Sequence, residues 1–239
     1  MNERIVDTDV PEPKLFEPEG SPGFFTRVRK LRADRFGAMY IAKVFERGGF
    51  ILDIGGGLRI DQRRGNKFNA KNLAAFGHFL TQPHVRYTIS DYTDKYKPDM
   101  VEDIHALSLP DNAVDGLFCL AVIEHVYDPK KAAEEIVRVL KKDGRAFIYV
   151  PFLYRYHAHQ TDYRDYYRFT KDGIAYLFRG CKTVLLCPVC GLFESMVKLT
   201  PLRAWRFAIL VARMLDESTP RLRALSKVQT GGYHIYIEK

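Results

Sequence analysis

The chain of 239 residues has only four cysteines and one tryptophan. No apolar stretch in it approaches the roughly 20 residues needed to span a bilayer. The longest apolar run of the C-terminal third is Phe207 to Ala212. The start, Met1-Asn-Glu-Arg-Ile-Val-Asp-Thr-Asp9, has no basic-then-apolar leader, so a cytoplasmic location with reduced thiols is expected. Cys187-Pro-Val-Cys190 is formally a C-x-x-C, but no second pair and no His-x-x-x-His follows it, which leaves a structural zinc site two ligands short. The pair ends the apolar run Thr183-Val-Leu-Leu186 instead of opening a helix, so it is read as a buried strand end, with no metal expected. Internal repeats, low-complexity linkers and nucleic-acid reader motifs are also absent.

The net charge is +8, with 46% hydrophobic residues. The excess is clustered: Arg27, Arg29, Lys30, Arg32 and Arg35 form one group, Arg59, Arg63, Arg64 and Lys67 a second, and Arg203, Arg206, Arg213, Arg221 and Arg223 a third. Solvated helix faces account for such groups, and anionic partners are the alternative.

Residues 1–22 hold four prolines and no apolar periodicity and read as an irregular arm. Residues 23–239 read as a single domain. Phe24, Val28, Leu31, Phe36, Met39, Ile41 and Val44 predict one or two helices over 24–47. Strands are predicted at 50–54, 86–90, 100–103, 114–120, 145–150, 182–187 and 233–237. Asp128-Pro129 opens a helix whose stripe is Ala132, Ala133, Ile136, Val137 and Leu140, with Gly144 expected as its stop. A second helix is predicted over 171–179 from Thr170. This alternation gives an α/β, Rossmann-like, seven-stranded and mostly parallel sheet, with helices on both faces, an antiparallel last strand, and ligands at the carboxyl ends of the strands.

The strand Phe50-Ile-Leu-Asp-Ile54 runs into Gly55-Gly-Gly57, where the backbone can turn sharply and approach a ligand. A dinucleotide fingerprint needs a third glycine at position 60, which is Ile60, so nicotinamide chemistry is disfavoured. Asp91 ends the next strand, where a carboxylate accepts ribose hydroxyls. The ligand is therefore expected to carry a ribose without requiring a pyrophosphate.

With these residues the chain resembles the class I S-adenosylmethionine-dependent methyltransferase family, in a type 11-like bacterial form. Leu52-Asp-Ile-Gly-Gly-Gly57 is similar to its first motif, Ser90-Asp91 to its ribose-binding acid, and Asp103-Ile104 with Leu107-Ser-Leu-Pro110 to its adenine-contacting segment. Val114 to Val126 resembles its fourth strand and following turn, and Arg138 to Arg145 the approach to its fifth strand. The stretch between the glycine turn and Asp91 is longer than usual, and Lys142-Asp143 replaces the common Pro-Gly.

The resemblance implies S-adenosylmethionine as cofactor, with Gly55, Gly56 and Gly57 at the turn and Asp53 near the methionine amino group. Asp91 and Tyr92 fall at the ribose, Asp103 and Ile104 at the adenine, and Leu120, Ala121 and Glu124 after the fourth strand. Asp53, Asp91 and Asp103 could instead stabilise turns. His125, His157 and His159 fall at the ligand edge as candidate bases or as structural hydrogen-bonding groups.

The segment 154–169 is dense in Tyr, Arg and His, and Tyr154, Tyr156, Arg164, Tyr167 and Arg168 are its candidate acceptor-binding residues. Arg168 paired to Asp165 is the structural alternative. The acceptor is read as a small molecule or glycan-like compound methylated on oxygen. Carbon methylation of a quinone- or polyketide-like substrate is the alternative within the class, and a basic RNA-associated methyltransferase or binding protein the alternative outside it. Cys119-Leu-Ala-Val-Ile123 stands where base-amine methyltransferases carry Asn/Asp-Pro-Pro-Tyr/Phe, which argues against nucleic acid. The apolar helix expected over 201–215, edged by arginines, either covers the sheet or the site or forms a membrane-surface or dimer face. Either a monomer or a homodimer fits.

Overall fold

The computed structural model describes residues 10–17, 23–24, 31–63, 68–159 and 161–239. Its strands are β1 (Lys14–Leu15), β2 (Gly49–Ile54), β3 (Val85–Asp91), β4 (Met100–Val101), β5 (Val114–Leu120), β6 (Leu140–Pro151), β7 (Thr183–Pro188) and β8 (Gly232–Glu238). The helices are α1 (Leu31–Glu46), α2 (Ala70–Leu80), α3 (Pro129–Val139), α4 (Lys171–Leu177), α5 (Leu192–Lys198), α6 (Arg206–Ser218) and α7 (Pro220–Val228). The eight strands form one sheet in the order β1-β7-β8-β6-β5-β2-β3-β4. All neighbours are parallel except β8, which runs antiparallel to both β6 and β7. The strand beyond the expected seven is β1, from the arm read as irregular, whose Lys14 and Leu15 pair with Leu185 and Leu186.

Alternation along the central strands feeds two cores. Phe50, Leu52, Ile54, Leu117, Cys119, Ala146, Ile148 and Val150 face one side, where α3 adds Ala132, Ala133, Ile136 and Val139. Ile51, Phe118 and Phe147 face the other, where α1 adds Phe36, Tyr40 and Val44. The period of two in the strands and of about 3.6 in the helices brings these faces together. Ile60, the residue that breaks the dinucleotide pattern, is buried in the second core beside Leu58.

Local signals act as expected at several helix starts. Asp128 accepts from the amide of Lys131 at 3.0 Å, with Pro129 in the first turn of α3, and Thr170 accepts from the amide of Gly173 at 3.1 Å to open α4. Two expected boundaries moved. Helix α3 ends at Val139 and the chain passes directly into β6, so Gly144 lies inside a strand and stops no helix. The expected helix over 201–215 is a 3-10 turn, Pro201–Ala204, a break at Trp205, and then α6. Helix α6 buries only Ala212 and Asp216 and leaves Phe207, Leu210 and Met214 exposed, as is Trp205 at the break before it. No described helix is long and apolar enough to cross a membrane. The expected helical segment at 25–30 lies outside the described residues.

Beside the sheet, Asp216 of α6 accepts from the amides of Phe193 and Glu194 at 2.8 and 3.1 Å and so caps α5. Buried Glu194 in turn receives Arg213 at 2.9 Å and Lys198 at 2.7 Å. Burial pushes the Glu194 carboxyl up, but the hydrogen bonds from Arg213 and Lys198 outweigh it, and the net shift is downward. A depressed folded-state value stabilises the protein above the unfolded carboxylate value, and that contribution disappears as the pH falls through the folded value. Glu194→Gln should therefore cost about 2 kcal/mol near neutral pH. The gap between the variant and the parent chain should close below about pH 4 in urea unfolding measured across pH.

Candidate active site

The parallel strands β2, β3, β5 and β6 end level with one another, since Ile54 is in register with Ser90 and Cys119, and Leu120 with Tyr149. Over their carboxyl ends lies a cavity of about 560 Å³. Its floor is the turn 55–58, where Gly55 and Gly56 have φ of +74° and +59° and the Gly55 amide donates to Ser90 O at 2.7 Å. A Cβ on Gly57 would lie 2.5 Å from Leu120 Cβ, so the turn packs directly on the end of β5.

Asp53, expected near the cofactor's amino group, is fully buried behind this turn. Its carboxylate accepts from the amides of Gly57 and Leu58 at 3.0 and 3.1 Å and from the Tyr87 hydroxyl at 2.5 Å. It shapes the turn and does not line the cavity. Helix α2 starts only at Ala70, capped by Asn69, so the longer stretch after the turn inserts chain before the helix and separates its N-terminus from the glycines in sequence.

Gly55, Gly56, Gly57, Asp91, Tyr92, Asp103, Ile104, Leu120, Ala121 and Glu124 all line the cavity. Ala121 holds φ +56°, a strained value for a residue with a Cβ, at the point where the chain leaves β5. Asp103 accepts at one oxygen from the amide of His105 at 2.9 Å and meets its Nδ1 at 2.6 Å, and these contacts hold its carboxyl below the usual range. His105 stacks on Tyr127, with ring centroids 3.9 Å apart, and both line the cavity as an aromatic wall beside Ile104. Sequence reasoning missed this wall. Its only signal was two ring-bearing residues flanking predicted loops.

The other end of the cavity is built by the 3-10 turn Ile123–His125 and the segment 152–169. Tyr166 and Tyr167 donate their amides to Glu124 O at 2.9 and 3.1 Å, which ties the segment to the turn. His125 Nδ1 lies 2.6 Å from Arg164 O. His157 is held by Asp165, whose Oδ2 accepts from its amide at 2.8 Å and lies 3.2 Å from its Nδ1. The Nε2 atoms of both rings stand 3.8 Å from Glu124 Oε1. Burial lowers the His125 pKa, whereas interaction with Glu124, followed by Asp165, raises that of His157. Two hydrogen bonds from Arg168 hold Asp165 down at about 2.

Tyr154 and Arg164 line the cavity as expected of acceptor-binding residues, joined by Tyr96, Asp162 and Tyr163. Lys95 and Tyr96 both reach Asp162, Lys95 at 2.7 Å, and pin the segment across the cavity mouth. His159, Tyr156, Tyr167 and Arg168 lie off the cavity. His159 is more than half exposed and faces Asp162 at 3.4 Å. Tyr156 points to solvent, Tyr167 donates to Tyr127 O at 2.9 Å, and Arg168 is bound to Asp165 and the carbonyls of Tyr154 and Arg155. Spacing could not separate these from their neighbours, because 154–169 is irregular and alternate residues do not share a face. Cys187 lies buried near the end of β7, as expected of a strand end, and forms no disulfide.

A mostly parallel sheet with a glycine turn and a cavity at its carboxyl edge defines the class as Rossmann-like α/β. Residues 65–148 match the family profile described as a methyltransferase domain. The same fold is found in an S-adenosylmethionine-dependent methyltransferase from Archaeoglobus fulgidus, at 16% identity and a TM-score of 0.50 over 90% of this chain and 99% of that one. The YcgJ protein of Bacillus subtilis aligns at 15% identity and TM-score 0.46 over 86% and 98%. A second S-adenosylmethionine-dependent methyltransferase, from Aquifex aeolicus, aligns at 14% and 0.43 over 91% and 99%. No functionally curated protein matches the sequence. Residues 65–148 thus carry a methyltransferase-domain signature, on a fold shared with an S-adenosylmethionine-dependent methyltransferase.

Proposed function

We propose that this methyltransferase acts on an oxygen of a small-molecule or glycan-like acceptor bound between the glycine turn and the 152–169 segment. The carrying observation is the convergence of two imidazole Nε2 atoms on buried Glu124 at the acceptor end of the cavity. Bound S-adenosylmethionine supplies a methyl group activated on a sulfonium sulfur. The residues present fit that cofactor. The positive-φ glycines bring backbone against it, Asp91 and Tyr92 stand where its ribose would lie, and Ile104 with the His105–Tyr127 pair forms an apolar and aromatic slot for adenine. Asp103 lines the same end.

Transfer to a hydroxyl forms a C–O bond while the C–S bond breaks, and the acceptor proton must leave. The Glu124, His125 and His157 cluster receives the hydroxyl and makes that proton easier to lose. Tyr154, Tyr163 and Arg164 form the wall against which the acceptor is oriented, and orientation supplies much of the rate when the leaving group is a neutral thioether.

The test is an acceptor screen with methyl-labelled cofactor, followed by location of the label. Label on oxygen is expected, and label on carbon or nitrogen would replace this reading. His157→Ala should lower turnover by about 10² to 10⁴-fold with affinity for S-adenosylhomocysteine changed less than about twofold. His159→Ala, off the cavity, should leave turnover within about twofold.

A further inference from the structure

We propose that Glu124, His125 and His157 form a binding site for a divalent first-row transition-metal cation, which activates the acceptor hydroxyl. The inference rests on the methyl-transfer reading above for the cation's role, though not for its binding.

Glu124 is fully buried, and neither carboxylate oxygen has a hydrogen-bond partner. A buried carboxylate without a donor is an uncompensated cost, and the two nearby imidazoles at 3.8 Å are too distant for a hydrogen bond. Among the described residues this is the one group of three metal-type ligands, with one donor atom from each lying within 4.8 Å of the others. Ligands on a common ion at about 2.1 Å and near-tetrahedral or octahedral angles lie about 3 to 3.5 Å apart, so closure on a cation needs only small side-chain rotations.

The imidazoles are held as metal-binding histidines are held. His125 presents Nδ1 to Arg164 O at 2.6 Å. His157 presents Nδ1 to Asp165 Oδ2 and Arg155 O, both at 3.2 Å. With the proton on Nδ1 in each ring, the Nε2 lone pairs face Glu124. The Asp165 to His157 pairing is the outer carboxylate that orients a ligating imidazole, and Arg168 fixes Asp165 in turn. Two nitrogens and one carboxylate oxygen suit a borderline cation such as Co²⁺ or Zn²⁺, with the harder Mn²⁺ held more weakly, and three ligands leave positions open toward the cavity. A hydroxyl held against the cation loses its proton to solvent more easily, and its oxygen then takes the methyl carbon as the bond to sulfur breaks and the electron pair remains on sulfur.

The full chain, stripped with chelator, is titrated with Co²⁺ and followed by visible absorption, with Mn²⁺ followed by calorimetry. One equivalent should bind with a new visible band, and His157→Ala and Glu124→Gln should each weaken binding at least tenfold while melting normally and still binding S-adenosylhomocysteine. Added Mn²⁺ or Co²⁺ should restore transfer to the stripped enzyme without altering cofactor affinity. Absence of a saturable site, or binding that survives both substitutions, overturns the proposal. A stripped chain that binds S-adenosylhomocysteine and transfers methyl at full rate also overturns it and leaves the methyltransferase reading standing. Cation binding in a chain that binds no S-adenosylhomocysteine leaves the metal site standing and removes the methyl-transfer reading instead.

Discussion

Asp91→Ala is expected to weaken S-adenosylhomocysteine binding about 100-fold in calorimetry while the protein melts within a few degrees of the parent. The carboxylate stands at the end of β3 on the cavity, half-buried, and two ribose hydroxyls donating to it contribute about 1.5–3 kcal/mol each. Water recovers part of that on substitution, and a net loss of about 2.7 kcal/mol corresponds to the 100-fold. Asp53→Ala makes the contrasting comparison. It removes the acceptor of two amides and a hydroxyl that shape the glycine turn, so affinity and melting temperature should fall together. Affinity within threefold of the parent for Asp91→Ala would take the ribose role away from that residue.

Gly49→Ala is expected to be the costlier change for folding. Gly49 opens β2 at φ +76°, and a Cβ there would lie 2.2 Å from Asp115 Oδ2. That oxygen accepts from the amide of Phe50 at 2.9 Å and from Lys141 at 2.7 Å, so it cannot retreat without giving up a buried hydrogen bond. Left-handed strain of about 1–2 kcal/mol and overpacking of about 1–3 kcal/mol add to a loss of about 3 kcal/mol. In a chain of this size that is roughly a 10 °C fall in melting temperature. Gly180→Ala is the control, since nothing lies within 4 Å of its Cβ position, and it should change stability by less than about 0.5 kcal/mol. Equal melting temperatures for the two variants would show that Asp115 does not hold the start of β2.

The glycine-turn end of the cavity was readable because its signals are local. A strand, a positive-φ glycine turn and an acid at the next strand end are set by residues close in sequence, and the parallel sheet brings their carboxyl ends level. Ile60 shows the same economy, excluding one nucleotide motif as sequence and joining the core as structure. The acceptor half was readable only in outline. Its residues lie on irregular chain, where neither the helical nor the strand period assigns a face, so Tyr154 and Arg164 could not be told from Tyr156, Tyr167 and Arg168.

Composition and spacing thus established the α/β class, the order of the central elements and the glycine turn at the carboxyl edge of the sheet, because hydrophobic period and glycine conformation act within a few residues. Tertiary structure decided that Asp53 supports the turn from behind, that His105 and Tyr127 make a wall, and that the arm at Lys14–Leu15 closes the sheet edge. It also brought His157 to Glu124 and His125 while leaving His159 outside. Those outcomes depend on contacts between residues as many as about 170 positions apart, whose geometry exists only once the strands have paired.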